Sequence, residues 1–424
     1  MAYALKRIGR VRVKDEAAGT ATFAVEQSAS IASFKDVRYT KCEITLDQEM
    51  VEDAAVVQRA FQKRLKIIGQ KRCTMKLDVD LCGTGTAMGV SDSPVYTDSA
   101  LNVILKTVFG GYYAGNSELE DNSASSTATS VTVASTGGGQ WSAPGGGVMA
   151  TTIAGRLEAR ETDLRSGDVL TPKVGFSAAP TNQATIYNGH TIYLDEAAAT
   201  SLAFVVETAD RDNVYWLLGM QCTSISLSFT LGQVAKLSFT FEGADWKQDD
   251  SVGTPIGGSA ISVASFTDAA PPVYVNNQCF FCTGSEPYTY STSLVHPSAV
   301  DITLALKWQA VPSPNGVNGI LGWVLIPESP MASVTLTLPV DSGNIKTYQA
   351  AQLAQTIYGF WMQIGNAAGN TVLISLPSLQ ITNVQQAEST PSLHGMQITG
   401  EAIEDQDNAG TSAQYYSPVR IHRV

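Results

Sequence analysis

Histidine, cysteine and clustered carboxylates carry most of the catalysis and metal binding that proteins perform near neutral pH. The sequence holds four histidines, His190, His296, His394 and His422, far apart and outside any metal or triad motif. Isolated histidines of this kind are expected in loops or at the surface. Of six cysteines, Cys42, Cys73, Cys82 and Cys222 stand alone in or beside strand-like runs, where cysteine acts as a small buried hydrophobe. Cys279 and Cys282 form a lone CxxC inside the apolar run QCFFC. A zinc site needs a second pair or histidines at ligand spacing, and a redox pair belongs at a helix start. A core strand is the expectation instead. The acid cluster Glu401, Glu404, Asp405 and Asp407 lacks the D-x-[DN]-x-[DN]-G order of a calcium loop and reads as a solvated loop. Gly83-Thr84-Gly85 lacks the third glycine of a dinucleotide fingerprint, and no nucleophile elbow, P-loop or HExxH motif occurs. The reading is of a protein that is not an enzyme, with no catalytic residues, cofactor or metal.

The elements that dominate the chain are strands. From Cys222 to Trp246, Ile225, Leu227, Phe229 and Leu231 alternate with hydroxyl residues. After Gly232-Gln233, Leu237, Phe239 and Phe241 alternate with Lys236, Ser238 and Thr240. Period two across a short glycine break predicts a hairpin with one buried face. Cys42 to Leu46, Cys73 to Leu81, Thr185 to Leu194 and Leu202 to Glu207 predict further strands. Ser99 to Phe109 is the best helix, with Ser99 near its N-cap and Gly110-Gly111 at its stop.

Between two of these strands, residues 47–72 place Asp47, Glu49, Glu52 and Asp53 before Arg59, Lys63, Arg64 and Lys66. Val57, Phe61 and Leu65 recur at spacing four, so part of this segment is expected to be an amphipathic helix whose charge order suits the helix dipole. The sharper alternative is a charged loop that meets a neighbouring subunit. The basic residues before position 15 predict a solvated tail, or an arm on a neighbour, followed by an edge strand over Ala21 to Ile31. Residues 112–150 are Gly/Ser-rich and predict an exposed loop or flexible insertion.

The chain of 424 residues exceeds what one core usually serves, so two domains are expected. Its 44% hydrophobic content supports real cores, while only 16% of residues are charged. A formal net charge of -12 argues against a nucleic-acid grip, which needs a basic face. The basic N-terminus has no apolar run behind it, so no cleaved signal is expected. The apolar run Ile320 to Ile326 ends at Pro327, far short of the roughly twenty residues of a membrane span.

Part of the order repeats after the Gly/Ser/Asp-rich stretch 247–268. Asp301 to Leu304 echoes Glu43 to Leu46, and Val334, Leu336, Leu338 and Val340 alternate as Met75 to Leu81 do. Ala350 to Ile357 is then a helix expectation, and Thr371 to Leu376 with Leu393 to Ile398 mirrors the hairpin. Strand, long loop, strand, helix and late strand pair in one order twice predicts an internal duplication. The divisions expected are 1–250, a linker at 251–268, and 269–424.

The run GMQCTSISLSFTLGQVAKLSFTFEG resembles the terminal hairpin of major tail tube proteins of long-tailed bacteriophages. GQKRCTMKLDVDL followed by SALNVILKTVF resembles the family's strand-then-helix core, and MASVTLTLPV, the region up to FWMQIG, and TVLISLPSLQIT look similar too. The resemblance covers about half of the chain and rests on pattern. It implies a mainly β fold of two tandem β-sandwich or barrel domains, each flanked by a helix. It implies self-assembly into homotrimeric, pseudo-hexameric rings, stacked into a tube through which DNA passes without specific binding. Residues 47–72, and by position 308–331, would be the stacking segments. Partners implied are the tape measure protein, the tail terminator and the tail tip or baseplate proteins, with the protein made in the host cytoplasm and located in the virion tail, not in a membrane. A tail terminator or distal tail ring protein would share the fold without polymerising. A carbohydrate- or surface-binding β-sandwich would carry an export signal and an aromatic face, and the tryptophans are scattered.

Overall fold

In a computed structural model the protein is mainly β. The structure describes residues 8–16, 24, 34–52, 66–83, 99–114, 116–119, 126–133, 147–166, 168–195, 200–208, 214–249, 270–275, 277–283, 288–326, 331–339, 344–390, 393–405 and 417–424. In chain order the first elements are β1 (Ile8–Asp15), β2 (Lys35–Asp36), β3 (Tyr39–Glu52), β4 (Lys66–Asp80) and α1 (Ala100–Phe109). Next come β5 (Gly110–Tyr113), β6 (Asn116–Leu119), β7 (Val131–Thr132), β8 (Val148–Ile153), β9 (Arg156–Ser166), β10 (Val169–Pro172), β11 (Thr185–Asn188) and β12 (His190–Leu194). They are followed by β13 (Leu202–Thr208), β14 (Val214–Thr230), β15 (Lys236–Gly243) and β16 (Asp245–Asp249). The later elements begin with β17 (Gln278–Cys282), α2 (Tyr290–Ser293), β18 (Leu294–Val295), β19 (Ala299–Ala305), β20 (Trp308–Val317), β21 (Ile320–Leu325) and β22 (Ala332–Pro339). Last are α3 (Asn344–Leu353), β23 (Ile357–Ile364), β24 (Val372–Thr390), β25 (Leu393–Ala402) and β26 (Arg420–Arg423).

The expected hairpin is β14–β15, with Ile225 opposite Phe239 and Leu227 opposite Leu237, all four buried. It sits inside a continuous antiparallel run, β3–β4–β15–β14–β19–β22–β25–β24. Strict alternation gives this long sheet one apolar face and one polar face. The apolar face joins Met75, Leu77, Phe239, Ile225, Ile302, Val334, Leu336 and Ile398 in one core cluster.

Two sheets back this core. One runs β2–β1–β13–β14–β16, the other β18–β17–β23–β24–β26–β12–β5. The long strands β14 and β24 belong to a back sheet at their start and to the long sheet at their end. In β14 the change of partners falls at Gly219, at φ 61, a left-handed conformation that glycine adopts without steric cost. Buried Glu16 fixes this bend, accepting from Gly219 N at 3.0 Å, Ala24 N at 3.3 Å and the Ser201 hydroxyl at 2.5 Å.

The pairings recur. β3–β4, β4–β15, β15–β14, β14–β13, β13–β1 and β14–β16 have counterparts in β19–β22, β22–β25, β25–β24, β24–β23, β23–β17 and β24–β26. Both long strands carry a bulge at the matching place, between Cys222 and Ser224 and between Ile381 and Asn383.

Several expectations change. Helix α1 starts where Ser99 predicts, its hydroxyl accepting from Asn102 N at 3.3 Å, but α3 ends at Leu353, and Ile357 opens a strand. The described ends of 47–72 are strand, not helix. The acid-first, base-last order becomes cross-strand matching, with Asp47 opposite Arg72 and Glu52 opposite Lys66. Asp53, Arg59, Lys63 and Arg64, with Val57, Phe61 and Leu65, lie outside the described residues, as does 251–268. The basic N-terminal residues are not a solvated tail where described: Arg10 pairs with Asp36 at 2.5 Å, and Arg12 lies 3.3 Å from Glu207. Ala21 to Ile31 lies outside the described residues apart from Ala24.

The segment expected as a flexible insertion is folded where described. β6, β11, β8, β9, β10 and β7 form one sheet, and Val131, Val133, Val148, Met149 and Ala150 are buried. One face packs Val148, Ala150, Leu157 and Ala159 onto Phe280, Trp361, Leu373 and Val424. Its two ends meet where β5 pairs with β12, and Asp195 N donates to Phe109 O at 2.7 Å.

Candidate functional site

Two features of the long sheet are not covered by another described strand or helix: its polar face and its two outer edges. The polar face carries Lys41, Glu43, Thr45 and Asp47 from β3, and Arg72, Thr74, Lys76, Asp78 and Asp80 from β4. β15 adds Lys236, Ser238, Thr240 and Glu242, and β14 adds Ser224, Ser226, Ser228 and Thr230. Asp301, Thr303, Ser333, Thr335, Gln397, Thr399, Glu401 and Gln385 complete it. Carboxylates outnumber cations, and every cation lies on β3, β4 or β15. Lys41 and Glu43 pair at 2.8 Å in the open, which draws the lysine pKa up and the glutamate pKa down through their hydrogen bond. Between β14 and β19, the Ser228 hydroxyl donates to Asp301 Oδ1 at 2.6 Å.

The described members of the predicted stacking set lie toward one end of the β3–β4 pair. Asp47 and Glu49 are exposed on β3, Glu52 ends that strand, and Lys66 opens β4. The base of the hairpin is held by Trp246, whose Nε1 donates to Asp47 O at 3.0 Å while Lys71 Nζ lies 5.0 Å over its ring. Residues 308–325 form a second long hairpin, β20–β21, turned by Asn318 at φ 48 and Gly319 at φ 80, the Asn-Gly signature of a tight β-turn. It folds over β14: Trp323 Nε1 donates to Gly219 O at 2.9 Å, Asn318 Nδ2 to Ala244 O at 3.0 Å, and Ile320 is buried beside Trp216 and Leu218.

A cluster of titratable groups is locked in the interior. Asp405, expected in a solvated loop, is buried and accepts from Arg420 Nη2 at 3.0 Å, with Lys173 Nζ at 3.4 Å. Arg420 Nη1 also donates to Glu161, which accepts from Ser375 Oγ and, at 2.5 Å, from Trp361 Nε1. Burial alone would raise Glu161, but Arg420, Lys173 and His422 hold it at about 2. Asp407 lies outside the described residues.

His190 and His422, expected at the surface, are buried on neighbouring strands β12 and β26. Burial, with Arg423 nearby, lowers His190 to about 4, and burial lowers His422 to about 4 against the pull of Glu161. His190 Nδ1 lies 2.8 Å from Tyr112 OH, and His422 Nδ1 lies 3.0 Å from Thr191 Oγ1. His296 is exposed.

All six cysteines are free. Cys279 and Cys282 are buried on β17, and burial drives the Cys279 and Cys222 thiols far above their ordinary value and Cys73 to about 12. Thiols so raised are poor nucleophiles. Among the described residues no group of three or more His, Cys, Asp or Glu is placed to hold a metal, and no helix is long and apolar enough to cross a membrane.

Among the described residues the polar face therefore offers hydroxyls and scattered charge without a pocketed nucleophile, and the edges offer backbone that no further strand pairs, with side chains reaching it at Asp47 O and Thr382 O. Among the described residues, β3 has a ladder partner only in β4, and β24 beyond Ile381 only in β25. Alternation marked these strands in the sequence, but the side on which their polar residues gather depends on long-range pairing. No protein-family model matches the sequence, and no curated protein matches it.

Proposed function

We propose that the protein is a structural virion protein of the tail tube type, in which 1–250 and 269–424 are tandem tube units. Three copies make a pseudo-hexameric ring, and stacked rings enclose a channel for DNA. The observation that carries this reading is the β14–β19 ladder. It runs from Ser224 opposite Ala305 to Thr230 opposite Ala299, and so joins the edge strand of one repeat's part of the long sheet to the edge strand of the next repeat's part. The same joint, made between chains, would consume the edges of β3 and β24 and leave a closed barrel. Closure removes the aggregation hazard of open edges.

The polar face supports the channel role. It would line the lumen with hydroxyls, amides and an excess of carboxylates, which repel phosphates and let DNA slide. The proposed partners are further copies of the chain, the tape measure protein, the terminator and the tip or baseplate proteins, and the proposed location is the virion tail. Purified protein added to tail tips tests this reading. Hollow tubes growing from the tips are expected, and protein that stays monomeric on tips of its own virion would overturn it.

A further inference from the structure

The pairing of β14 with β19 fixes more than the existence of a joint between chains. Resting on the tube reading, we infer that β24 of one copy pairs antiparallel with β3 of a second copy in one register, bounded by β-bulges. In that register Asn383 faces Asp47, Val384 faces Leu46, Gln385 faces Thr45, Gln386 faces Ile44, Ala387 faces Glu43 and Glu388 faces Cys42.

The register follows from the repeat. Through the β15 and β25 ladders, Ser224 and Ile225 correspond to Asn383 and Val384, each following its bulge. Through β4 and β22, Ile44 corresponds to Ile302, opposite Met75 and Val334 respectively. Within the chain Ile225 faces Leu304, and carrying that pair across sets Val384 against Leu46.

Two independent features agree. Val384 is buried and Leu46 packs against the same core, whereas Gln385 and Thr45 are exposed, so these two facing pairs each share a side of the sheet; Gln386, opposite core-packed Ile44, is exposed in the single chain. A one-residue slip would put Val384 against an exposed threonine and turn the apolar set outward. The ladder irregularities then set the limits. β3 is regular only between its bulges at Thr40 and Glu49, and β24 only between Thr382 and Ser389. The two free edges thus present matched regular windows, and the bulges stop the strands from sliding past them.

The test is disulfide trapping on the full chain, because a disulfide forms only when Cα atoms lie within about 7 Å. Thr45→Cys with Gln385→Cys is oxidised beside Glu43→Cys with Gln385→Cys, each single variant and the unaltered protein, while electron microscopy follows ring formation. The expected result is a reducible ladder of covalent oligomers from the Thr45/Gln385 pair, at least about tenfold stronger than from the slipped pair. Rings that form normally while the slipped pair traps better, or while neither pair traps, overturn the register and leave the tube reading standing. Failure of the unaltered protein to form rings, on tail tips as well as alone, overturns both.

Discussion

Thr223 and Thr382 make the same hydrogen bond in two parts of the chain. The Thr223 hydroxyl donates to Thr240 O at 3.2 Å, and the Thr382 hydroxyl donates to Thr399 O at 3.2 Å. Each threonine is the extra residue of a bulge, and each bulge sits where a long strand enters the long sheet. A shared irregularity with a shared side-chain contact is stronger support for duplication than shared strand order, because strand order alone is limited to few solutions. Thr223→Val and Thr382→Val should each cost about 1 kcal/mol, the net worth of one hydrogen bond, and should add when combined. Denaturant melts of the three variants check this. A large cost at one site with none at the other would contradict a common role.

Acid should loosen the seam between the inserted sheet and β26. His190 and His422 titrate near 4 in the folded protein against an ordinary 6.5, so the unfolded chain takes up protons first. Their contribution is complete above about pH 6.5 and is lost as pH falls toward 4. Glu161 adds a second loss between 4.5 and about 2, as its pairing with Arg420 disappears. Glu16, raised by burial, acts in the opposite sense and softens the fall. Thermal melts across this range should show the midpoint dropping below pH 6.5, and His422→Asn should flatten the upper part of the curve. A profile unchanged by that substitution would contradict the assignment.

Glu161→Gln removes one of the two carboxylates on Arg420 in a sealed interior and leaves Asp405, at 3.0 Å, as the other. Breaking a buried pair costs most when no second partner remains, so a loss of about 1.5–3 kcal/mol is expected. Equilibrium unfolding in urea measures it, and a loss below about 1 kcal/mol would mean that the network is wetter than its burial implies.

Asp78→Lys with Asp80→Lys places positive charge on the polar face. Folding stability should fall by no more than about 1 kcal/mol at each site, because both side chains sit on the solvent side of β4 but Asp78 faces Lys41 and Asp80 faces Lys236. Virions carrying the pair should release DNA more slowly, with the effect shrinking at high salt as phosphate attraction is screened. Release at the unaltered rate would remove the electrostatic role of this face.

Much of the long sheet was legible because one face is buried and one is wet, so Ile225 to Phe229 and Met75 to Leu81 alternate in the sequence itself. Ser99 announced its helix through a local cap. His422 and Asp405 gave no such signal, since β26 is buried along its length and the partners Thr191 of His422 and Lys173 of Asp405 come from more than two hundred residues away. The charge order of 47–72 misled for a related reason. Acids before bases suit a helix dipole and equally suit two strands folded back on each other, and only the pairing of Asp47 with Arg72 separates them. The inserted sheet was hidden by the Gly/Ser-rich composition around its strands, while its buried Val148 to Ala150 formed too short a run to stand out.

The central claim is that one chain supplies two repeats to a closed barrel. Electron microscopy of the purified protein over a concentration series, with symmetry determined from the rings, tests it most directly. Stacked rings with a central channel, true three-fold symmetry and six similar units around the lumen are expected. Rings of six whole chains, or rings that close and never stack, would contradict it.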